Sequence, residues 1–158
     1  MTERERFDRC LRVVLRFEAG DCDEPPEPDG PEPPAGAAAL LRDRYWLACG
    51  CDRLAAGLDL LVFDTAVNMG PGAAARILQA ALGHAADGEI AARTLAAADA
   101  AARGPLIGRI ARLRTQRYRA LAGFPMLGAR WLRRLQTAQT LALAWAGEDA
   151  REPIGDAA

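Results

Sequence analysis

Residues Leu60–Gly70, LLVFDTAVNMG, decide the fold. No other run of the chain is so nearly apolar all round, and a helix of that kind is buried on most sides instead of lying on a surface. Asp64 and Asn68 are its only strongly polar members. Spaced by one helical turn, they share a face. A buried carboxylate and a buried amide need partners or they cost stability, so the pair either ties neighbouring segments together or lines a groove. Gly70 suits a left-handed C-terminal cap, and Pro71 suits the opening of the next helix.

Working outward, Leu54–Met69 is expected to hold this central helix. Before it, Ala35–Ala48 reads as a helix with Leu40, Leu41, Tyr45 and Trp46 making its contacts, and Cys49–Arg53 as a turn. After it comes a short helix over Gly72–Leu82, stopped at Gly83, and then the single histidine, His84, which reads as a plain loop residue. Asp87-Gly88 is a turn. An alanine-rich helix over Glu89–Arg103 is expected to end at Gly104-Pro105. Leu106–Leu121 follows, with Leu106, Ile110, Leu113, Tyr118 and Leu121 on or near one face and Arg109, Arg112, Arg114, Arg117 and Arg119 over much of the rest. Gly123–Pro125 breaks the chain before a last helix, Met126–Trp145, whose Arg133 and Arg134 are read as pointing away from its apolar anchors. The arginine-rich faces read as solvated, with binding to an anionic polymer or to the acidic loop as the alternatives. The tail from Gly147 is expected to fray. No stretch reads as a strand, so the fold class is all-α.

The first helix, residues 3–18, is amphipathic. Phe7, Cys10, Leu11, Val14 and Leu15 fall on the helical template, and Thr2 with Glu5 makes a capping box. The next position on that stripe is Glu18; every other acid of the helix lies off it. The pattern therefore aims one carboxyl at the apolar side and at the helix C-terminus. Both features disfavour its charge, and a carboxyl held protonated near neutral pH is what general-acid chemistry requires. The alternative is a rim carboxylate paired with an arginine.

Residues 21–34, DCDEPPEPDGPEPP, carry six prolines and six acids in fourteen positions. Neither helix nor ladder can be built from them, and an extended, proline-stiffened loop follows. The 158 residues suit a single domain, 51% hydrophobic content can fill a core, and a formal net charge of −1 gives no global drive toward nucleic acid. No apolar run reaches transmembrane length and no signal peptide is recognised, so no membrane insertion is expected and the chain is expected to be made in the cytoplasm. Cys10, Cys22, Cys49 and Cys51 form no standard zinc spacing and read as free, partly buried thiols, with disulfides as the alternative. No cofactor or metal is expected.

Three segments in order carry a resemblance: Tyr45-Trp46 ahead of FDTAVNMG (Phe63–Gly70), ARILQAALG (Ala75–Gly83), and DGEIAART (Asp87–Thr94). Together they resemble the C-terminal, peptidoglycan-binding part of the phage-type N-acetylmuramidases of glycoside hydrolase family 108, and Arg117, Tyr118 and Leu121 fit as well. This likeness spans roughly residues 44–145. The opening FDRCLRVVLRFEAG (Phe7–Gly20) resembles the family's first helix, whose glutamate is the catalytic acid, and Glu18 falls at that position with Ala19 where a glycine is usual. The chain departs from the family where a GGxTxxGI-type segment should follow: residues 21–34 stand there instead. Asp87-Gly88 is kept, but Ala91 replaces the glycine three places on.

The resemblance implies one lysozyme-like helical domain over 1–158, with a catalytic-type helix at 1–20, the acidic loop at 21–34, a peptidoglycan-binding-like body at 35–146, a tail at 147–158, and the β-hairpin lobe missing or collapsed. It implies hydrolysis of the peptidoglycan glycan strand, with Glu18 as general acid and Asp64, Asn68, Tyr45 and Trp46 at the substrate. A second group is usually needed across the scissile bond; Asp21, Asp23 and Asp29 are the stand-ins, poorly placed by a solvated loop. The alternatives are a non-catalytic peptidoglycan-binding protein and a structural component of a phage or phage-derived particle, whose proteins would then be its partners. Action at the cell wall would be reached through a holin or on such a particle.

Overall fold

The computed structural model describes residues 1–23 and 33–150. The fold is all-α, and no strand occurs among the described residues. Most of the acidic loop, residues 24–32 with Asp29, and the end of the tail, residues 151–158, lie outside them.

Helix α1 spans Glu3–Glu18, and its capping box forms as expected: Thr2 accepts from the Glu5 amide while the Glu5 carboxylate accepts from the Thr2 amide. Its buried face is Phe7, Cys10, Leu11, Val13, Val14 and Phe17. After α2 (Ala35–Leu41), the expected single helix to Ala48 instead widens into a π-helical stretch over Arg42–Leu47. That stretch delivers Arg42 and Trp46 to the same Glu3. Arg42 donates to both carboxylate oxygens at 2.9 and 3.0 Å, and the indole of Trp46 donates at 2.7 Å.

The central helix, α3, spans Leu58–Met69 and packs against α1, α4, α6 and α7. It starts later than the expected Leu54, because a 3₁₀ turn at Cys51–Arg53 and Gly57 intervene. Gly57 has φ +88°, and a Cβ there would stand 2.2 Å from the carbonyl oxygen of Ala142, so the entry to α3 presses directly on α7. Gly70 also has positive φ, but its ψ of 152° is extended and not the left-handed cap expected. Pro71 does open α4 (Pro71–Ala81).

Helix α5 covers only Ala92–Ala100, and α6 runs Arg103–Arg119. Gly104-Pro105 therefore sits in the first turn of α6 instead of ending α5; proline is tolerated there because its missing N–H has no partner to lose. Helix α7 runs Phe124–Asp149, past the expected frayed point at Gly147. Phe7, Trp46 and Phe63 pack edge-on or tilted, with centroids 5.3–5.9 Å apart, and join α1, the π-helical stretch and α3. All four cysteines are free and buried. His84 is an exposed loop residue.

Candidate functional site

Asp64 is fully buried, and the structure gives it two arginines. Arg114 of α6 donates through Nη1 to Oδ2 at 2.6 Å. Arg134 of α7 donates to Oδ1 through Nε at 2.9 Å and Nη2 at 2.8 Å. The remaining nitrogen of Arg134, Nη1, reaches Oε1 of Glu18 at 2.6 Å. Two carboxylates thus face two guanidiniums in an alternating row, and the row is neutral. Neutrality matters here, because an unpaired charge in the interior is far costlier than a paired one.

The far end of the row is closed by polar neighbours. Arg114 donates to the Tyr118 hydroxyl at 2.9 Å, to Thr65 Oγ1 at 3.2 Å and to Asn68 Oδ1 at 3.3 Å. Tyr118 in turn donates to Asn68 Oδ1. Burial pushes the Tyr118 phenol above its ordinary value, which keeps it a neutral donor. For Arg134, burial disfavours the cation, but Asp64 and then Glu18 outweigh it and raise its pKa above the usual arginine value. Of the two roles open to Asp64 and Asn68, tying segments together is the one seen: they join α3 to α6 and α7.

These contacts correct three sequence expectations. Arg114 and Arg134 are not solvated; they are 0% and 6% exposed. Their positions carried the signal, since Leu106, Ile110, Arg114 and Tyr118 recur every four residues, as do Arg134, Ala138 and Ala142. Trp46, expected at the substrate, is sealed in the aromatic core with no face to solvent, and Asp64 is likewise out of reach of any ligand. Tyr45 is half-buried against that core. Glu18 is not steered into apolar surroundings: the buried stripe of α1 turns to Phe17 and stops, leaving the Glu18 side chain 49% exposed and paired with an arginine.

The exposed half of Glu18 has its own significance. Oε1 is held by Arg134, while Oε2 has no hydrogen-bond partner among the described residues. Phe17 lies under the Arg134 guanidinium, 5.5 Å from carbon to ring centroid, which limits its movement further. The chain beyond α1 runs along α7. Arg130 covers Gly20, Thr137 donates to the Cys22 carbonyl, and Arg133 pairs with Asp23 at 3.5 Å. Asp21 is paired with Arg16. An open groove of about 410 Å³ follows α7 beyond this point, lined by Cys22, Asp23, Arg133, Gln136, Thr137 and Leu141; Glu18 does not line it. Of the two stand-in carboxylates among the described residues, Asp21 and Asp23, it is Asp23 that lines a concavity. No group of side chains suited to a metal ion occurs among the described residues.

Asp87-Gly88 is organised by a buried amide. Gln79 donates to Asp87 Oδ1 at 2.7 Å and to the Glu89 carbonyl at 2.8 Å, and accepts from the Gly88 amide at 2.9 Å. The glutamine of ARILQAALG and the turn of DGEIAART are therefore one structural unit, with a direct physical reason for occurring together.

A family model described as glycosyl hydrolase 108 matches residues 13–70. That match takes in the end of α1 with Glu18 and the whole of α3 with Asp64 and Asn68. The segments after residue 70 that resemble the family's C-terminal part lie outside it. Among solved structures, the chain is similar to SagA of Brucella abortus, with 28% identity and a TM-score of 0.72 over 88% of this chain and 79% of that one. No curated protein matches the chain.

Proposed function

We propose that this protein acts on the glycan strands of peptidoglycan as a lysozyme-like N-acetylmuramidase, with Glu18 as the general acid. One observation carries the reading: within the family-matched segment, one oxygen of Glu18 is anchored by a buried, charge-compensated arginine while the other has no hydrogen-bond partner among the described residues. The arrangement fixes the carboxyl's position and leaves one oxygen open to a sugar. In the reacting state Glu18 carries a proton on Oε2 and delivers it to the glycosidic oxygen, while Arg134, fixed by Asp64, keeps the carboxyl from swinging. Catalytic groups must be held to about half an ångström, and a guanidinium bonded at three nitrogens supplies such rigidity.

Hydrolysis also needs a nucleophile or a water-activating base on the opposite face of the sugar, about 5–5.5 Å from the acid for retention and about 6.5–9.5 Å for inversion. Asp23, at the edge of the α7 groove, is the candidate. The groove volume falls in the range of small-ligand sites, about 300–1,000 Å³. Asn68 and Tyr45 remain the candidates for further sugar contacts, being only partly buried. The cell wall is the site of action in this reading, reached through a holin or on a phage-derived particle.

A second reading is favoured by the Arg16–Asp21 and Arg133–Asp23 pairs, which engage the carboxylates that follow Glu18 in the chain. In that reading the protein recognises peptidoglycan, or serves a phage-derived particle, without cleaving. Turbidity clearing of purified sacculi by the wild type, Glu18→Gln and Asp23→Asn separates the two. Clearing by the wild type alone supports the muramidase. Equal clearing by Glu18→Gln removes Glu18 from the mechanism, and retention on sacculi without clearing by any form supports recognition.

A further inference from the structure

From Ala100 to Gly147 the chain holds nine arginines and no carboxylate. Arg114 and Arg134 are neutralised in the core, Arg103 is paired with Asp149, and Arg109 donates to the Ala81 carbonyl. Arg112, Arg117 and Arg119 are exposed and form no ion pair among the described residues. Arg117 and Arg119 lie in the last turn of α6, just before the turn into α7.

That turn is where the apolar surface gathers. Leu121, Met126 and Leu127 are 44%, 90% and 46% exposed, three of the seven large hydrophobic side chains that the described residues leave in solvent. Singly exposed apolar residues are ordinary, but a cluster at one tip marks an interaction site. The tip is also rigidly backed. Trp131 stacks on Tyr118 with centroids 5.4 Å apart, and Tyr118 is locked into the Asp64 network.

We propose that this α6–α7 tip docks the protein on an anionic lipid surface. Met126, Leu127 and Leu121 enter the boundary between headgroups and acyl chains, and Arg117 and Arg119 bind headgroup phosphates, the division of labour that interfacial segments use. The chain has no lysine, and the planar fork of arginine matches phosphate oxygens in pairs. Other occupants fit less well. A second copy joined tip to tip would bring arginine against arginine. A nucleic acid would pair with the cations but give Met126 no apolar partner. The contact is peripheral, since no helix among the described residues is long and apolar enough to cross a bilayer.

Co-sedimentation of the full chain with vesicles tests this. Pelleting is expected with vesicles containing phosphatidylglycerol at low salt, and not with phosphatidylcholine alone. The double substitution Met126→Asp/Leu127→Asp, at side chains already in solvent, and separately Arg117→Gln/Arg119→Gln, should each lower the bound fraction about tenfold. Glu18→Gln should bind as the wild type does, which keeps this test separate from that of the hydrolase reading. The proposal is overturned by no binding to anionic vesicles at low salt, or by binding that neither double substitution weakens. Binding to duplex DNA or self-association in place of vesicle binding would overturn it as well.

Discussion

Arg134 holds Asp64 through two nitrogens on a single carboxylate oxygen, Nε at 2.9 Å and Nη2 at 2.8 Å. The third nitrogen is then left facing the end of α1, where it meets Glu18 at 2.6 Å. A buried charge on the central helix thereby fixes the rotamer of an arginine on the last helix, which fixes a carboxyl on the first. The elements concerned are far apart in sequence, and the shared guanidinium links them within the apolar core.

Removing Asp64 should therefore be costly. Asp64→Asn leaves Arg114 and Arg134 as neighbouring buried cations with no carboxylate between them, and breaking such a network costs about 3–5 kcal/mol. Urea unfolding followed by circular dichroism measures it. Asp8→Asn, which breaks the exposed Arg4–Asp8 pair, should barely move the midpoint.

The entry to α3 is sterically fixed. Gly57→Ala forces a side chain onto φ +88° and onto the Ala142 carbonyl oxygen 2.2 Å away. Gly83→Ala imposes a similar backbone strain at φ +74° with nothing within 4 Å. Both should lower the thermal midpoint. The Gly57 substitution should lose more than the roughly 1 kcal/mol scale of backbone effects alone, and the difference between the two isolates the clash.

Asp59 should give the protein a pH-dependent term. Burial pushes its carboxyl from an ordinary 3.8 up to about 6, against the opposing pull of Arg6 and of the Leu60 and Gly57 amides. The folded value lies above the unfolded one, so the contribution is fully present below about pH 4 and is lost as pH rises through about 6. Unfolding midpoints of wild type and Asp59→Asn across pH 4–7 measure it. The wild type should lose stability relative to the variant as pH rises through this window; a constant gap would contradict the assignment.

Much of this was legible in the chain. The α1 stripe with Thr2 and Glu5, the buried run over Leu60–Ala66, and the shared face of Asp64 and Asn68 follow from spacing alone, because local periodicity and capping report directly on local structure. The buried arginines depart from expectation for a different reason. A charged side chain is ordinarily solvated, and that expectation overrode the four-residue spacing which places Arg114 between Ile110 and Tyr118. The same spacing argument took Glu18 for a buried group, although one residue of helical rotation was enough to end the stripe at Phe17. Periodicity names the face, but its edge is set by what packs there, and here that is α7. Family likeness draws Trp46 to the substrate; its indole instead sits in the core and donates to the part-buried Glu3. Where Gly104-Pro105 was read as a stop, it is a start, since the first turn of a helix tolerates proline as readily as the residues beyond its end.

The central claim is that Glu18, anchored through Arg134, donates a proton to the glycosidic oxygen of the peptidoglycan strand. Analysis by mass spectrometry of soluble fragments released from purified sacculi tests it most directly, with the wild type and Glu18→Gln compared at matched folded concentration. The account predicts fragments with reducing N-acetylmuramic acid ends from the wild type, and release slowed by roughly two to four orders of magnitude in the variant. Equal release by both proteins, or reducing ends on the other sugar, would contradict it.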